Sequence, residues 1–504
     1  MKVGIVVGLV VASAEEIVVS IGNGKILGRV EAGVAGFWGV PYAVPPIMGR
    51  RFKVPEPHQN WTGIRDATTA APECVQSDGG SEDCLILNAF ARTSGLSPTT
   101  TKKSAVLFLI HGGGFVGGSA RLDAFNMSRQ TGLVVVAPQY RLGVFGFLCN
   151  ERSDDGGCFN FGLLDQRLAL VWTVQNAHVF GGDSSRILLM GGSAGGASVA
   201  GMLVANDSTL TFAAATLESP GGHQGWMGGD KRSDDDWMSN ALKINHTARL
   251  FNLLNASSVD DMADLPTEMI YFYAKALRFA PSLVDENGND DYPLHRIRTG
   301  RWTRVPVIVG GVSCESCEKA VDYLGEPRDN VTREEFLNSL ASYFDDGALV
   351  APLELEAWYA HRIETEGRWR TFARILSDSG HACSTALHAE AFAQGGAPVV
   401  WRYFFAYTED DDSLPGATHG SDETYILDLE TPDLSAKMAA WWASMAKFAD
   451  PNNGTSAPGW RAYDPPDHRL VMYMGLDHDP NPRLNESLDT VRPECANWEP
   501  YLGW

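Results

Sequence analysis

The sequence predicts an α/β protein: a large, mostly parallel central sheet with helices on both faces and helical excursions that cap it. Three observations predict it. Short apolar runs of strand length recur at 106–110, 133–137, 187–190 and 305–309. A helical stretch, 163–180, separates the second run from the third, with apolar Leu164, Leu168, Val171, Trp172 and Val174 at helical spacing. Each run is followed within two residues by Gly or Pro, as a strand is when it stops at a sharp turn. Strand, helix, strand at roughly 30-residue spacing is the pattern of parallel strands joined by crossover helices.

Taken in order, the run 106–110 leads into His111-Gly112-Gly113-Gly114-Phe115, and the run 133–137 into Pro138. The run 187–190 leads into Gly191-Gly192-Ser193-Ala194-Gly195-Gly196. Segments 226–300 and 320–375 are richer in charge and Trp and read as the capping excursions. The length of 504 residues equals about three average domains at ~150 residues each. No repeat and no low-complexity linker divides it, so residues 15–504 are expected to form a single domain. The acidic runs 234–236 and 409–412 read as solvated loop tips.

The net charge of −22 repels phosphate, which argues against a nucleic-acid partner and against docking on anionic membranes. The N-terminus has a lysine, an apolar run at 3–11, then Ala12-Ser13-Ala14. This is the pattern of a signal peptide over residues 1–14, and it is too short to span a bilayer. Eight N-x-S/T sequons occur, at Asn60, Asn126, Asn206, Asn245, Asn255, Asn330, Asn453 and Asn485. The eight cysteines are an even set with close pairs, which suits disulfides in an oxidising compartment. A secreted glycoprotein is expected.

Two Gly-rich turns carry the chemistry. Gly191-x-Ser193-x-Gly195 follows a strand and precedes a helical stretch, the setting in which a tight turn exposes a strained nucleophile. The glycines at 112–114 let backbone N–H groups converge on one point, as an oxyanion requires. Gly113 and Gly114 are the candidate donors, with Ala194 as the third. A phosphate loop is disfavoured because no G-K-S/T follows. No metal is expected. H-E-x-x-H is absent, and Asp285–Asp290 fails as a calcium loop because Asp290 stands where Gly is needed and Arg296 where Glu is needed.

Further motifs run along the chain. They are Phe37-Trp38-Gly39-Val40-Pro41-Tyr42-Ala43 with Arg51-Phe52, Glu82-Asp83-Cys84-Leu85, Tyr140-Arg141-Leu142-Gly143, and Asn160 to Gln166 reading N-x-G-L-x-D-Q. With the two glycine turns, they make the chain resemble the type-B carboxylesterases, which include cholinesterases and large fungal lipases. The resemblance implies an α/β-hydrolase fold, a small-molecule ester substrate and no cofactor. It places the acid at Glu315, five residues after Gly310, with Glu318 as the fallback. The base falls at His419 of the His419-Gly420 pair. It also implies bridges Cys74–Cys84 and Cys383–Cys495, leaving Cys149–Cys158 and Cys314–Cys317 as local pairs. Ser193 would attack the ester carbonyl as His419 takes its proton, with Glu315 holding the imidazole. Activity is then expected to fall below about pH 6.5, where an ordinary imidazole protonates.

Departures from the family narrow the substrate. The nine residues between Cys74 and Cys84 hold no aromatic side chain for a quaternary ammonium and are too few for a lid. Gly192 stands where the family has Glu, which is expected to remove a negative charge and add room. Glu218-Ser219-Pro220 replaces a Q-S-G-type segment, so a pocket backbone is expected to differ. Trp226, Trp237 and Phe279 are candidates for an apolar pocket or for the core. A neutral or hydrophobic ester is the leading expectation. The alternatives are a secondary-metabolism lactonase or acyltransferase with the same triad, and a catalytically silent adhesion relative.

Overall fold

The computed structural model describes residues 15–96, 100–121, 124–149, 158, 160–205, 207–221, 237–283, 291–344, 350–408, 414, 416–427, 432–465, 470–474, 483–487 and 492–498. The expected leader at 1–14, the sequon at Asn206, Trp226, the 285–290 loop and both acidic runs lie outside them.

The first five strands are β1 (Glu15–Ile21), β2 (Gly24–Glu31), β3 (Val34–Pro41), β4 (Ile64–Asp66) and β5 (Ile86–Arg92). Next come β6 (Ser104–Ile110), β7 (Val134–Pro138), β8 (Gly182–Gly192), β9 (Ala214–Glu218) and β10 (Val307–Val312). The last are β11 (Val400–Phe405), β12 (Leu470–Met474) and β13 (Arg483–Ser487). They join one sheet in the order β1-β2-β3-β5-β7-β6-β8-β9-β10-β11-β12-β13, with β4 beside β2. From β7 to β12 every pairing is parallel; outside that block the pairings are antiparallel except that of β4 with β2, which is parallel. The expected runs are β6, β7, β8 and β10, and the helix between the second and third spans Phe161–Asn176.

The sheet buries both faces, and its period of two sorts them. Along β6, Val106, Phe108 and Ile110 enter one apolar cluster, with Leu163, Leu170 and Trp172 of the helix Phe161–Asn176. Ala105, Leu107 and Leu109 enter the other, with Trp441, Trp442 and Met445 of the helix Pro432–Phe448. Alternate residues reach opposite layers because successive side chains in a strand point to opposite faces.

Spatial order differs from chain order at β7-β6-β8. The chain leaves β6, forms β7 on one side, and crosses to β8 on the other. Ile110 at the end of β6 then lies opposite Gly191 near the end of β8. Open parallel sheets bind ligands at the carboxyl ends of strands at such a reversal. Both glycine turns start there.

Two motifs acquire a physical reason. Arg51 donates to both carboxylate oxygens of Glu82, at 2.7 and 2.6 Å, and Nη1 of the same guanidinium caps the carbonyls of Met262, Ala263 and Leu265. Arg141 forms the same forked pair with Asp165, at 2.8 and 2.7 Å. Both pairs are buried, so losing one partner would strand the other's charge.

The excursions are helical, as expected: Asn240–Leu254, Val259–Ala263, Thr267–Ala274 and Pro293–Arg298 in the first, and Cys317–Leu324, Arg333–Phe344, Pro352–Trp358 and Ala360–Ser377 in or around the second. Lys243 in the first is fully buried and donates to Asn160 Oδ1 at 3.0 Å and Ser282 Oγ at 3.2 Å. Burial pushes its ammonium from 10.5 down to about 7. The unfolded chain therefore holds a proton there that the folded chain gives up, so stability is expected to rise as pH increases from 7 toward 10.5. Denaturant unfolding at pH 7 and 9 checks this. Lys243→Met should remove part of the rise, and an identical rise in both proteins would contradict it.

All four bridges are present: Cys74–Cys84, Cys149–Cys158, Cys314–Cys317 and Cys383–Cys495. Asn60, Asn245, Asn255, Asn330 and Asn453 are exposed and Asn126 is half-buried. No helix among the described residues is long and apolar enough to cross a membrane.

Candidate active site

Ser193 stands between β8 and the helix Ala194–Leu203, at φ 55° and ψ −126°. An L-residue there costs about 1–3 kcal/mol, and surrounding bonds must hold it. The Ser193 N–H donates to the Glu218 carbonyl at 2.9 Å, and its carbonyl accepts the Ala197 N–H at 2.9 Å. Glu218 Oε2 accepts the Gly191 N–H at 3.2 Å, and Oε1 accepts Trp442 Nε1–H at 2.9 Å. Burial, reinforced by the charge of Glu423, drives the Glu218 carboxyl well above the ordinary range. The glycines are required by close approach. A Cβ at Gly195 would run into the Ile110 carbonyl, and one at Gly191 would meet the Gly195 carbonyl at 2.5 Å.

The second turn lies against the first. A Cβ at Gly112 would sit 3.1 Å from the Ser193 Cβ. The loop winds so that the Gly113 carbonyl accepts from Val116 and Gly117, at 3.1 and 3.0 Å. Gly113 and Gly114 take φ of 108° and 61°. Gln76, inside the Cys74–Cys84 ring, braces the turn: its Oε1 accepts the Gly118 N–H and its Nε2 donates to the Gly118 carbonyl. Ala194 is the first residue of the helix after Ser193, so its N–H lies at a helix N-terminus, where orphan donors collect. Burial holds His111 down to about 4, so the ring is neutral and Nδ1 donates to the Gly112 carbonyl at 2.8 Å.

The carboxylate arrives from the end of β10. Glu315 is buried and its Oε2 lies 2.6 Å from His419 Nδ1. Its Oε1 accepts the Ser219 hydroxyl at 2.7 Å and the Val312 N–H at 3.0 Å. Burial alone would raise this carboxyl. The bond and charge of His419, the charge of His381 and the Val312 N–H outweigh it and hold Glu315 at about 2. Glu318, the fallback, lies exposed on the helix Cys317–Leu324. The histidine loop is fastened to the carboxylate loop by Cys314 N–H to the Ala417 carbonyl at 2.9 Å and Ala417 N–H to Ser313 Oγ at 2.8 Å. The Cys314–Cys317 bridge closes a ring around Glu315, and the Ser316 N–H donates to Ser377 Oγ at 3.1 Å.

The structure therefore brings Ser193, the 112–114 turn, Glu315 and His419 to one end of the sheet. It also supplies partners that sequence reasoning missed. Ser219 is tied to Glu315, and its N–H donates to the Gly310 carbonyl at 2.6 Å. The altered Glu218-Ser219 segment thus braces the turn and the acid. The ring of His381 lies 4.5 Å from that of His419. Its sequence context, Gly380-His381-Ala382, carries no motif that would have found it.

One expectation is overturned. The volume beside Gly192 is not vacant, and a carboxyl group still occupies it. The side chain of Glu423 fills it, so a Cβ at Gly192 would overlap Glu423 Oε1 and sit 2.6 Å from Cδ. Trp237 and Phe279 are core: both are 1% exposed, and the Trp237 ring packs over Gly201.

A cavity of about 470 Å³ reaches the turn at Gly113. Val75 and Ser77 of the Cys74–Cys84 ring wall one side, with Val144, Phe145 and Leu277 elsewhere. Lys275 and Arg278 add two positive charges.

The carboxylesterase family profile matches residues 15–495, nearly the whole chain. The chain belongs to the carboxylesterase family. As a carboxylesterase it is a carboxylic ester hydrolase with the α/β-hydrolase fold. It is 27% identical to acetylcholinesterase of Bungarus fasciatus, over 97% of this chain and 87% of that protein. It is 29% identical to fumonisin B1 esterase of Sphingopyxis macrogoltabida, over 85% and 81%. Among solved structures, a PNB esterase superposes with a TM-score of 0.75 at 25% identity, covering 95% of this chain and 99% of that one. A thermophilic PNB esterase superposes at 0.74 and 25%, covering 95% and 99%.

Proposed function

We propose that this carboxylesterase is a secreted glycoprotein that hydrolyses a soluble, neutral or hydrophobic ester of moderate size. It does so through Ser193, Glu315 and His419. The observation that carries the reading is the 2.6 Å contact between Glu315 and His419 Nδ1, which leaves Nε2 for the hydroxyl of Ser193. His419 takes the proton of Ser193 as its oxygen attacks the ester carbonyl. The N–H groups of Gly113, Gly114 and Ala194 hold the oxyanion, each worth about 3 kcal/mol. The tetrahedral intermediate collapses, His419 protonates the departing alcohol, and water then repeats the sequence on the acyl-enzyme.

The apolar wall of the 470 Å³ cavity supports the substrate class, because a space of that size suits a small ligand. The Cys74–Cys84 ring offers no aromatic face to a quaternary ammonium. The four bridges and the exposed sequons support secretion. Lys275 and Arg278 favour a second reading, an ester whose acyl chain ends in a carboxylate.

A nitrophenyl ester series of increasing chain length tests both, with a matched ω-carboxyl member. Highest kcat/KM on soluble chains of short to medium length is expected. Preference for emulsified long-chain esters would refute the proposal. A gain of tenfold or more from the ω-carboxyl would select the second reading.

A further inference from the structure

Position 192 precedes the nucleophile and carries no side chain of its own. The carboxyl of Glu423 takes that volume, with its Cγ 3.3 Å from where a Cβ would stand. It therefore abuts the peptide that leads into Ser193. Glu423 comes four residues after His419, in the first turn of the helix Ser421–Leu427. Its N–H is shared by the Gly420 carbonyl at 3.2 Å and Asp422 Oδ1 at 3.1 Å, which fixes the backbone. The residue is half-buried. One short segment thus delivers both the base and a carboxyl group to the nucleophile turn.

We infer that Glu423 is a positioning residue for ester hydrolysis: from beside the nucleophile, its carboxylate stabilises the His419 imidazolium that forms as Ser193 gives up its proton. This rests on the assignment of Ser193 and His419 proposed above. The physical reason is that the transition state creates a positive imidazolium inside the protein, where a nearby fixed charge is poorly screened. The charge of His419 favours the ionised form of the Glu423 carboxyl, and that carboxyl lies against the Gly192–Ser193 turn. The groups around the pair come from five segments. They are Asp422 on the same helix, Glu315 after β10, Glu218 at the end of β9, Tyr403 of β11, whose hydroxyl donates to Asp422 at 2.5 Å, and His381, whose ring lies 4.5 Å from that of His419. Burial raises Glu423 to about 7, the charge of Asp422 adds to this, and His419 opposes it. The carboxylate is thus mostly charged above pH 7, where the imidazole is free to act as base.

The test is the pH profile of kcat on nitrophenyl acetate. Glu423→Gln should lower the plateau at pH 8.5 about tenfold. It should also move the acid limb slightly to lower pH, because the carboxyl is only partly ionised there and the charge it does carry holds the proton on the imidazole. The double variant Gly192→Glu with Glu423→Gly returns a carboxylate to the same volume from the other side. It should recover most of the plateau and return the limb. A parental plateau and limb in Glu423→Gln would overturn the inference. So would a lowered plateau with an unmoved limb and no recovery in the double variant, which is what a packing role produces. Ser193→Ala separates the two levels. If it keeps activity, the Ser193 assignment fails; if it is inactive while Glu423→Gln behaves as the parent, only the role of Glu423 fails.

Discussion

Replacing Ser193 by alanine is expected to reduce kcat for nitrophenyl acetate by a factor on the order of 10⁶. The loss is that large because the triad acts as a unit. Without the hydroxyl there is no acyl-enzyme, and His419 and Glu315 have nothing to activate. What survives is binding and the oxyanion turn, which alone give about 10³- to 10⁴-fold over water. The fold should be kept. The strained conformation at 193 depends on backbone bonds to Glu218 and Ala197 rather than on the hydroxyl. A fluorophosphonate probe adds a second readout, since it should label the parent on the peptide containing Ser193 and leave the variant unlabelled. Activity within tenfold of the parent, in a variant with the parental melting temperature, would mean another nucleophile.

Glu315→Gln should lower kcat by about 10⁴. A carboxylate accepts from Nδ1–H and so keeps Nε2 as the base. An amide can present its NH₂ group to Nδ1 instead, which turns the imidazole into the wrong tautomer and removes the charge that stabilises the imidazolium. The same substitution changes the response to acid. Glu315 is held at about 2 in the folded chain, below its ordinary 4.5. A depressed carboxyl contributes stability that is present above pH 4.5 and is lost as pH falls toward 2. The glutamine variant has no such term. Its unfolding free energy should therefore depend less steeply on pH than the parent's between pH 4.5 and 2. Equal steepness in the two proteins would show that Glu315 is not the group responsible.

Legibility in the sequence followed the range of the physical constraint. The turn at 191–195 could be read from five letters because its glycines answer local contacts: Gly191 abuts Gly195, and Gly195 abuts the strand end at Ile110. Glu315 was reachable because it follows β10 at a short offset. Ser219 was not, since its bond to Glu315 joins residues 96 apart and a serine in a loop has many uses. His381 faces His419 across a helix packing that no local pattern encodes. Trp237 and Phe279 were ambiguous because a core and an apolar pocket ask for the same side chains; burial resolved them as core.

The family, the α/β class and the two glycine turns were determined by the sequence alone. Each depends on residue type at fixed spacing, and backbone sterics act over only a few residues. The charge beside the nucleophile was decided only in three dimensions. Read locally, Gly192 is a deletion of a carboxylate. In the fold it is the space into which Glu423 reaches. Electrostatics acts through distance, and only the folded chain determines which distant residue brings its charge to Ser193.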